Sequence, residues 1–256
     1  MITRFAPAPT GFLHLGHVLN ALWVWKTARA SGDGRVLLRI EDHDRQRSRP
    51  EFDAAILEDL TWLGFVADGP VVRQSERAAI YEDALATLRA RGLVYACECS
   101  RADVAGDRYR GTCAAKHLPE TSGVSLRIRL DATLERFDDL RLGPQAQQPS
   151  EQCGDVLARD RKGNWTYQFA VAVDDWAQGI TLVVRGEDLL DSTGRQLQIA
   201  RLLGRREPPA FLHHPLLLAP SGRKLSKSAR DTGIRALRER GYSSAQVLAA
   251  IPPELL

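Results

Sequence analysis

The chain has 256 residues, 44% hydrophobic and 26% charged, with a formal net charge of +3 and a pI near 8.8. This is the balance of an ordinary globular protein, large enough for one large domain or two moderate ones. No run of 18 apolar residues is present, which excludes a membrane-spanning helix, and the mild basicity allows a polyanionic partner without requiring one.

The stretch "ITRFAPAP" opens as a short strand that its prolines terminate, since proline lacks the ladder donor. From His17 to Ala30, Val18, Leu19, Leu22, Trp25 and Ala28 recur at helical spacing, and "SGDGR" ends that helix. "VLLRI" (36–40) is an apolar run of the kind found in strands covered on both faces. Strand, helix and strand within about 40 residues make a βαβ unit and a parallel sheet. Two further helices are expected near Glu51–Leu63 and Ala78–Arg91.

At Cys97 the chain turns polar. "VSLRIRL" (124–130) alternates and predicts a half-exposed strand, while "RLGPQAQQPSEQC" (141–153) reads as a loop. Apolar character returns after Trp165. "ITLVVRGEDLL" (180–190) predicts a buried strand, followed by a helix through "GRQLQIARLLG". The expected architecture is α/β: a Rossmann-like parallel-sheet nucleotide-binding domain over 1–96 and 166–220, split by an insertion over 97–165. A basic, short helical C-terminal segment, 221–256, holds seven Arg or Lys against two acids through Arg240.

Chemistry concentrates at two places. A strand that ends in a loop and opens a helix offers free N–H groups and a positive dipole end, a geometry suited to phosphate. His14 and His17 flank that helix start, and Gly16 allows close approach. Taken alone, the pair is also compatible with a metal site or with simple capping. "GRKLSKS" (222–228) places Lys224 and Lys227 among small hydroxyls, suited to a polyphosphate leaving group; a solvated basic loop is its plainer reading.

Together the two stretches resemble the "HIGH" and "KMSKS" signatures of class I aminoacyl-tRNA synthetases, here "HLGH" (14–17) and "KLSKS" (224–228). "RFAPAPTGFLHLGH", "RIEDHD" (39–44), "VVRGEDLL" (183–190) and "KLSKS" occur in the order seen in glutamyl-tRNA synthetases, from Thr3 to about Ala229. About 28 residues follow Ser228, too few for the helical anticodon-binding domain of the full-length enzymes. The chain therefore resembles the shortened paralogue family, the glutamyl-Q tRNA(Asp) synthetases.

That resemblance implies activation of L-glutamate by ATP with Mg2+, then transfer of glutamate to queuosine in the anticodon of tRNA(Asp). It implies catalytic roles for His14, His17, Lys224 and Lys227, with His14, Gly16, His17 and Lys227 on ATP. Glutamate-binding positions are Arg4, Phe5, Ala6, Pro7, Ala8, Glu41, Tyr167 and Arg185. The residue types agree with the chemistry: a dianion carrying one ammonium needs two cationic anchors and one anionic one, and Arg matches carboxylates bidentately. Alternatives are a truncated synthetase charging tRNA(Glu), a small nucleotidyltransferase with a similar histidine elbow, and a non-catalytic zinc-containing nucleic-acid-binding module.

Cysteines stand at 97, 99, 113 and 153, three of them within 17 residues. No charged-then-apolar leader is visible, so a reducing, cytoplasmic setting is expected, where clustered cysteines suggest metal. One structural Zn2+ takes four ligands. Cys97, Cys99 and Cys113 supply three; spacing offers His117 as the fourth, whereas the resemblance implies Tyr109. Cys153 is expected to remain outside as a free thiol. No membrane partner is expected, and a monomer is the default.

Overall fold

In a computed structural model, residues 1–100, 102–104, 108–218 and 233–256 are described. The first elements are β1 (Ile2–Phe5), α1 (Leu15–Ala30), β2 (Arg35–Ile40), α2 (Pro50–Leu63), β3 (Val72–Arg73), α3 (Ala78–Ala90) and β4 (Val94–Cys97). Next come β5 (Ser125–Ile128), β6 (Glu135–Asp139), β7 (Gly143–Gln147), α4 (Pro149–Gln152), β8 (Val156–Arg159) and α5 (Tyr167–Ala177). The chain continues through β9 (Leu182–Gly186), α6 (Thr193–Leu203), β10 (Ala210–His214), α7 (Ile234–Glu239) and α8 (Ser244–Ala249).

These elements form two compact units. The first comprises Met1–Glu76, Ile180–Leu190 and Pro209–Leu256. In it β1 pairs in parallel with β2, Ile2 opposite Arg35, and β2 pairs in parallel with β3. β9 and β10 pair in parallel, with Arg185 opposite His213. β1 and β9 lie side by side: the Thr181 N–H donates to Ile2 O at 2.9 Å, and Arg4 Nη1 reaches Val184 O at 3.4 Å. The strand order is therefore β3-β2-β1-β9-β10, and the winding direction reverses between β1 and β9. In open parallel sheets, ligands bind at the carboxyl ends of strands flanking such a reversal.

The expected βαβ unit is present. α1 begins two residues before the predicted His17 because His14 caps it. β2 is buried at five of its six positions or partly so, as its apolar run requires. Phe5, Leu19, Val24, Val36, Ile40, Ile56, Val184 and Ile234 share one core.

The second unit comprises Arg77–Gly179 and Asp191–Pro208. It therefore contains the 97–165 stretch together with α3, α5 and α6, whose Leu85, Leu88, Phe169 and Ile199 are buried with Leu126 and Ile128 of β5. β4, β5 and β8 make an antiparallel sheet. Asp174, fully buried, accepts from Arg77 Nε at 2.5 Å and from the Tyr81 hydroxyl at 2.7 Å.

One expectation is borne out here and one is corrected. The strand expected within 124–130 spans Ser125–Ile128 and alternates as predicted, with Leu126 and Ile128 buried, Arg127 part-buried between them and Arg129 exposed just beyond. The guanidinium of Arg127 lies over the Tyr109 ring. The 141–153 stretch is not a loop: β7 pairs with β6 as an antiparallel hairpin, and α4 follows. Gly143 takes a φ of 75° at the turn, Asp139 Oδ1 accepts from the Arg141 and Leu142 N–H groups, and Pro149 starts α4. β4, β8 and β10 are also strands that the sequence reading did not assign.

Candidate functional site

The elbow between β1 and α1 is built by its two histidines. His14 is the N-cap of α1, and its Nδ1 accepts from the Gly16 N–H at 3.1 Å. His17 Nδ1 accepts from the His14 N–H at 3.1 Å. This is a capping box in which imidazoles replace the usual hydroxyl and carboxyl. A backbone N–H can only donate, so each Nδ1 presents a lone pair and each neutral ring carries its proton on Nε2. Capping and phosphate binding are thus compatible: one nitrogen of each ring starts the helix, and the other is a donor. The ring centroids are 3.9 Å apart.

The chain returns to this elbow after the lysine stretch. Gly233, the N-cap of α7, forms a bridge with His14, and the Ile234 N–H donates to Leu13 O at 2.8 Å. Lys224 and Lys227 lie outside the described residues. Arg235 and Arg238, part of the basic tail, are internally paired: Arg235 with Glu239 at 3.1 Å and Arg238 with buried Asp59 at 2.9 Å.

Most of the expected glutamate positions gather at the carboxyl ends of β1, β2 and β9. Arg4 is buried, four residues into the chain, on β1. Glu41 follows β2 directly; its N–H donates to Pro7 O at 3.0 Å, and its carboxylate accepts from the fully buried Arg39 at 3.2 Å. Burial pushes the Glu41 carboxyl above the usual range, opposed by the positive charges of Arg39, His43 and Arg4. Arg185 is buried on β9, its Nε donating to His213 Nε2 at 3.1 Å and its guanidinium 5.7 Å over the Phe211 ring. The Phe5 side chain packs into the core against Trp25 at 5.6 Å, so only its backbone faces the elbow side; Ala6 and Ala8 are half-buried. Tyr167 is half-buried as the first residue of α5, in the second unit. Gly16 sits in the first turn of α1.

Sequence reasoning missed Arg39 and His213. The signal for His213 was the pair of histidines closing the run "AFLHH", which carried no recognisable spacing.

Residues 1–252 match the family described as tRNA synthetases class I (E and Q), catalytic domain. The chain belongs to that family. It is 41% identical to the Glutamyl-Q tRNA(Asp) synthetase of Rhodobacter capsulatus, covering 96% of this chain and 98% of that one. It is 43% identical to Glutamate–tRNA ligase 2 of a Chelativorans species, covering 94% of this chain and 54% of that one. A solved glutamate tRNA ligase from Elizabethkingia meningosepticum, in complex with its amino acid, superposes with a TM-score of 0.77 at 29% identity. That likeness covers 94% of this chain, which spans about half, 53%, of the solved one. The chain is thus a class I tRNA synthetase with a parallel α/β sheet. Among the described residues no helix is long and apolar enough to cross a membrane.

This synthetase has a second cluster, in its second unit. The sulfurs of Cys97, Cys99 and Cys113 lie within 4.8 Å of one another, and Cys99 and Cys113 are 3.5 Å apart. The Tyr109 hydroxyl lies 3.4 Å from Cys97 Sγ and accepts from the Cys113 N–H at 2.8 Å. Burial raises the Cys97 thiol, but the Tyr109 hydroxyl and Arg127 outweigh it and bring the pKa down to about 7. Burial and the adjacent Cys113 thiol push Cys99 up to about 11. The Tyr109 backbone is held by Gly154, where a Cβ would fall 1.8 Å from Tyr109 O, and by its own N–H donating to Cys153 O at 2.9 Å. Three clustered sulfurs match the donor type of a structural Zn2+ site, and the Tyr109 hydroxyl is a further oxygen donor beside them. His117 is exposed, with a φ of 48°, and is not among the clustered groups. Cys153 also stands apart, its thiol directed at Pro149 O at 3.2 Å.

Proposed function

We propose that this synthetase activates L-glutamate with ATP and transfers it to queuosine in the anticodon of tRNA(Asp). The observation that supports the acceptor most directly is the likeness to a Glutamyl-Q tRNA(Asp) synthetase along 98% of that protein's length. The strand ends support the amino acid. Arg4 and Arg185 offer two buried cations on neighbouring strands at the sheet's reversal, and Glu41 offers one anion. Two carboxylates and one ammonium match that set, with the backbone of 5–8 beside it; Tyr167 is assigned to glutamate by the resemblance alone.

In the first step the glutamate α-carboxylate attacks the α-phosphorus. The new C–O–P bond forms as the bond to the β-phosphate breaks, and pyrophosphate leaves. The protein supplies no nucleophile; it positions the reactants and stabilises charge. His14 and His17 offer Nε2–H donors to the phosphates, fixed in direction by the cap at Nδ1. Removing one such donor lowers the rate by about 10² to 10³. Lys224 and Lys227 take the departing pyrophosphate charge. ATP arrives as its magnesium complex. In the second step the acceptor nucleophile attacks the activated carbonyl and AMP leaves.

On this reading 1–96 and 166–220 carry adenylate chemistry, and 97–165 is an insertion that faces the tRNA. Residues 221–256 carry the lysine loop and a helical tail. Cys97, Cys99, Tyr109 and Cys113 hold one structural Zn2+, which would tie the root of the insertion. The protein works as a cytoplasmic monomer.

The likeness to Glutamate–tRNA ligase 2 favours a second acceptor, tRNA(Glu). Pyrophosphate exchange with glutamate, without tRNA, tests the first step. Labelled glutamate transfer to tRNA(Asp) with and without queuosine, beside tRNA(Glu), tests the second. Transfer that requires queuosine is expected; transfer to tRNA(Glu) alone overturns the reading.

A further inference from the structure

Arg127 has no part in the adenylate chemistry, yet its side chain makes three directed contacts at the thiol cluster. The guanidinium carbon lies 3.6 Å from the centre of the Tyr109 ring. Its Nε donates to Cys97 Sγ at 3.3 Å, and Nη1 donates to Asp155 O at 2.8 Å. Asp155 is fixed in turn, accepting from the Tyr95 hydroxyl at 2.6 Å and from the Leu130 N–H at 2.9 Å. The guanidinium is therefore anchored by Asp155 O at one edge and set over the Tyr109 ring.

Charge explains why such a group belongs there. Three thiolates around a dication leave a net charge of −1, and a phenolate makes it −2. In a partly buried site that excess is costly unless a cation is near. A guanidinium is planar, permanently charged and suited to stacking on an aromatic face, which an ammonium is not. Partners of this kind, beyond the ligands themselves, set ligand orientation and metal affinity.

We infer that Arg127 is a positioning residue of the metal centre: it holds Tyr109 as the oxygen ligand and offsets the surplus negative charge of the thiolates. This rests on the reading that Cys97, Cys99, Cys113 and Tyr109 bind Zn2+.

The test is zinc competition against a chromogenic chelator, on the full chain, for wild type, Arg127→Met, Arg127→Lys, Tyr109→Phe and the Arg127→Met/Tyr109→Phe pair. Melting curves run alongside. Arg127→Met is expected to weaken zinc binding about 10- to 100-fold. Arg127→Lys keeps the charge and loses the flat stack, so it falls between. Because Arg127 acts through Tyr109, the double variant is expected to lose less than the product of the two single losses. Cobalt-loaded Arg127→Met should show a shifted visible spectrum, which a purely structural arginine would leave unchanged. Wild-type zinc affinity and spectrum in Arg127→Met overturn the inference; if that variant does not fold, wild-type affinity in both Arg127→Lys and Tyr109→Phe does so. A wild-type protein that takes up no zinc overturns the metal reading itself, and Arg127 falls with it.

Discussion

Arg185 Nε donates to His213 Nε2 at 3.1 Å, and both side chains are almost wholly buried on the paired strands β9 and β10. The accepting Nε2 must be a lone pair, so the neutral ring of His213 carries its proton on Nδ1. His213 thereby fixes one edge of a guanidinium proposed to grip a substrate carboxylate. His213→Leu leaves a buried charged donor without that acceptor, a loss of about 1.5 to 3 kcal/mol for a hydrogen bond to a charged group. The expected result is a glutamate KM raised about 10- to 100-fold in pyrophosphate exchange, with the ATP KM nearly unchanged. His213→Gln, which restores an acceptor, should recover much of it. Equal rises for both substrates would refute this link.

Arg185→Lys should act in the same direction. Lysine keeps the charge but loses the fork that matches a carboxylate and the Nε donor that His213 accepts. Glutamate demand should rise far more than ATP demand in the same assay. An effect confined to ATP would remove Arg185 from the amino-acid pocket.

Gly154→Ala is expected to weaken the proposed zinc site from a distance. Gly154 has a φ of 67°, and an added Cβ would sit 1.8 Å from Tyr109 O. The backbone under Tyr109 must move, and the phenol oxygen with it. Zinc content by elemental analysis, after purification without chelator, should fall below the wild-type value. Full zinc in a folded Gly154→Ala protein would contradict it.

Stability in acid should depend on Asp131. Burial raises its carboxyl, but the hydrogen bonds from Thr133 and Arg201 prevail and lower it from 3.8 to about 2. A folded-state value below the unfolded one means the carboxylate stabilises the fold above about pH 4, and that contribution fades as pH falls toward 2. Its side chain and that of Arg201 are 47% and 39% exposed, so solvent screens much of the gain. Asp131→Asn should flatten the acid limb of a melting-temperature profile while leaving a small deficit at neutral pH. An unchanged acid limb would refute the assignment.

Asp174 carries a larger share of stability. It is fully buried and holds Arg77 and Tyr81 together. Asp174→Ala strands a guanidinium and a hydroxyl, at a cost of about 3–5 kcal/mol. Urea unfolding should show this as a large fall in midpoint, and a shift under 1 kcal/mol would show the network to be slack.

The sequence announced the elements whose pattern is local. "VLLRI" is apolar enough to be a covered strand, and α1 and α2 show their period and their ends. The three clustered cysteines and the paired histidines were legible as chemistry. The β6–β7 hairpin was not, because "GPQAQ" has neither alternation nor β-branched residues. Its shape depends on Asp139 closing the turn and on the strand beside it. His213 and Arg127 were hidden for a related reason: their partners, Arg185 and Tyr109, are 28 and 18 positions away, and only the fold sets which partner each one meets. For the fourth ligand, spacing offered His117 and the resemblance Tyr109; the Tyr109 hydroxyl lies 3.4 Å from Cys97 Sγ, whereas His117 is exposed.

On the proposed reading the imidazoles of His14 and His17 each serve two masters, with one ring nitrogen occupied by the polypeptide and the other offered to the nucleotide. An exchange at either place therefore disturbs the beginning of α1 and the grip on nucleotide together. Effects of changing both should fail to multiply, and neither role can drift under selection without carrying the other along.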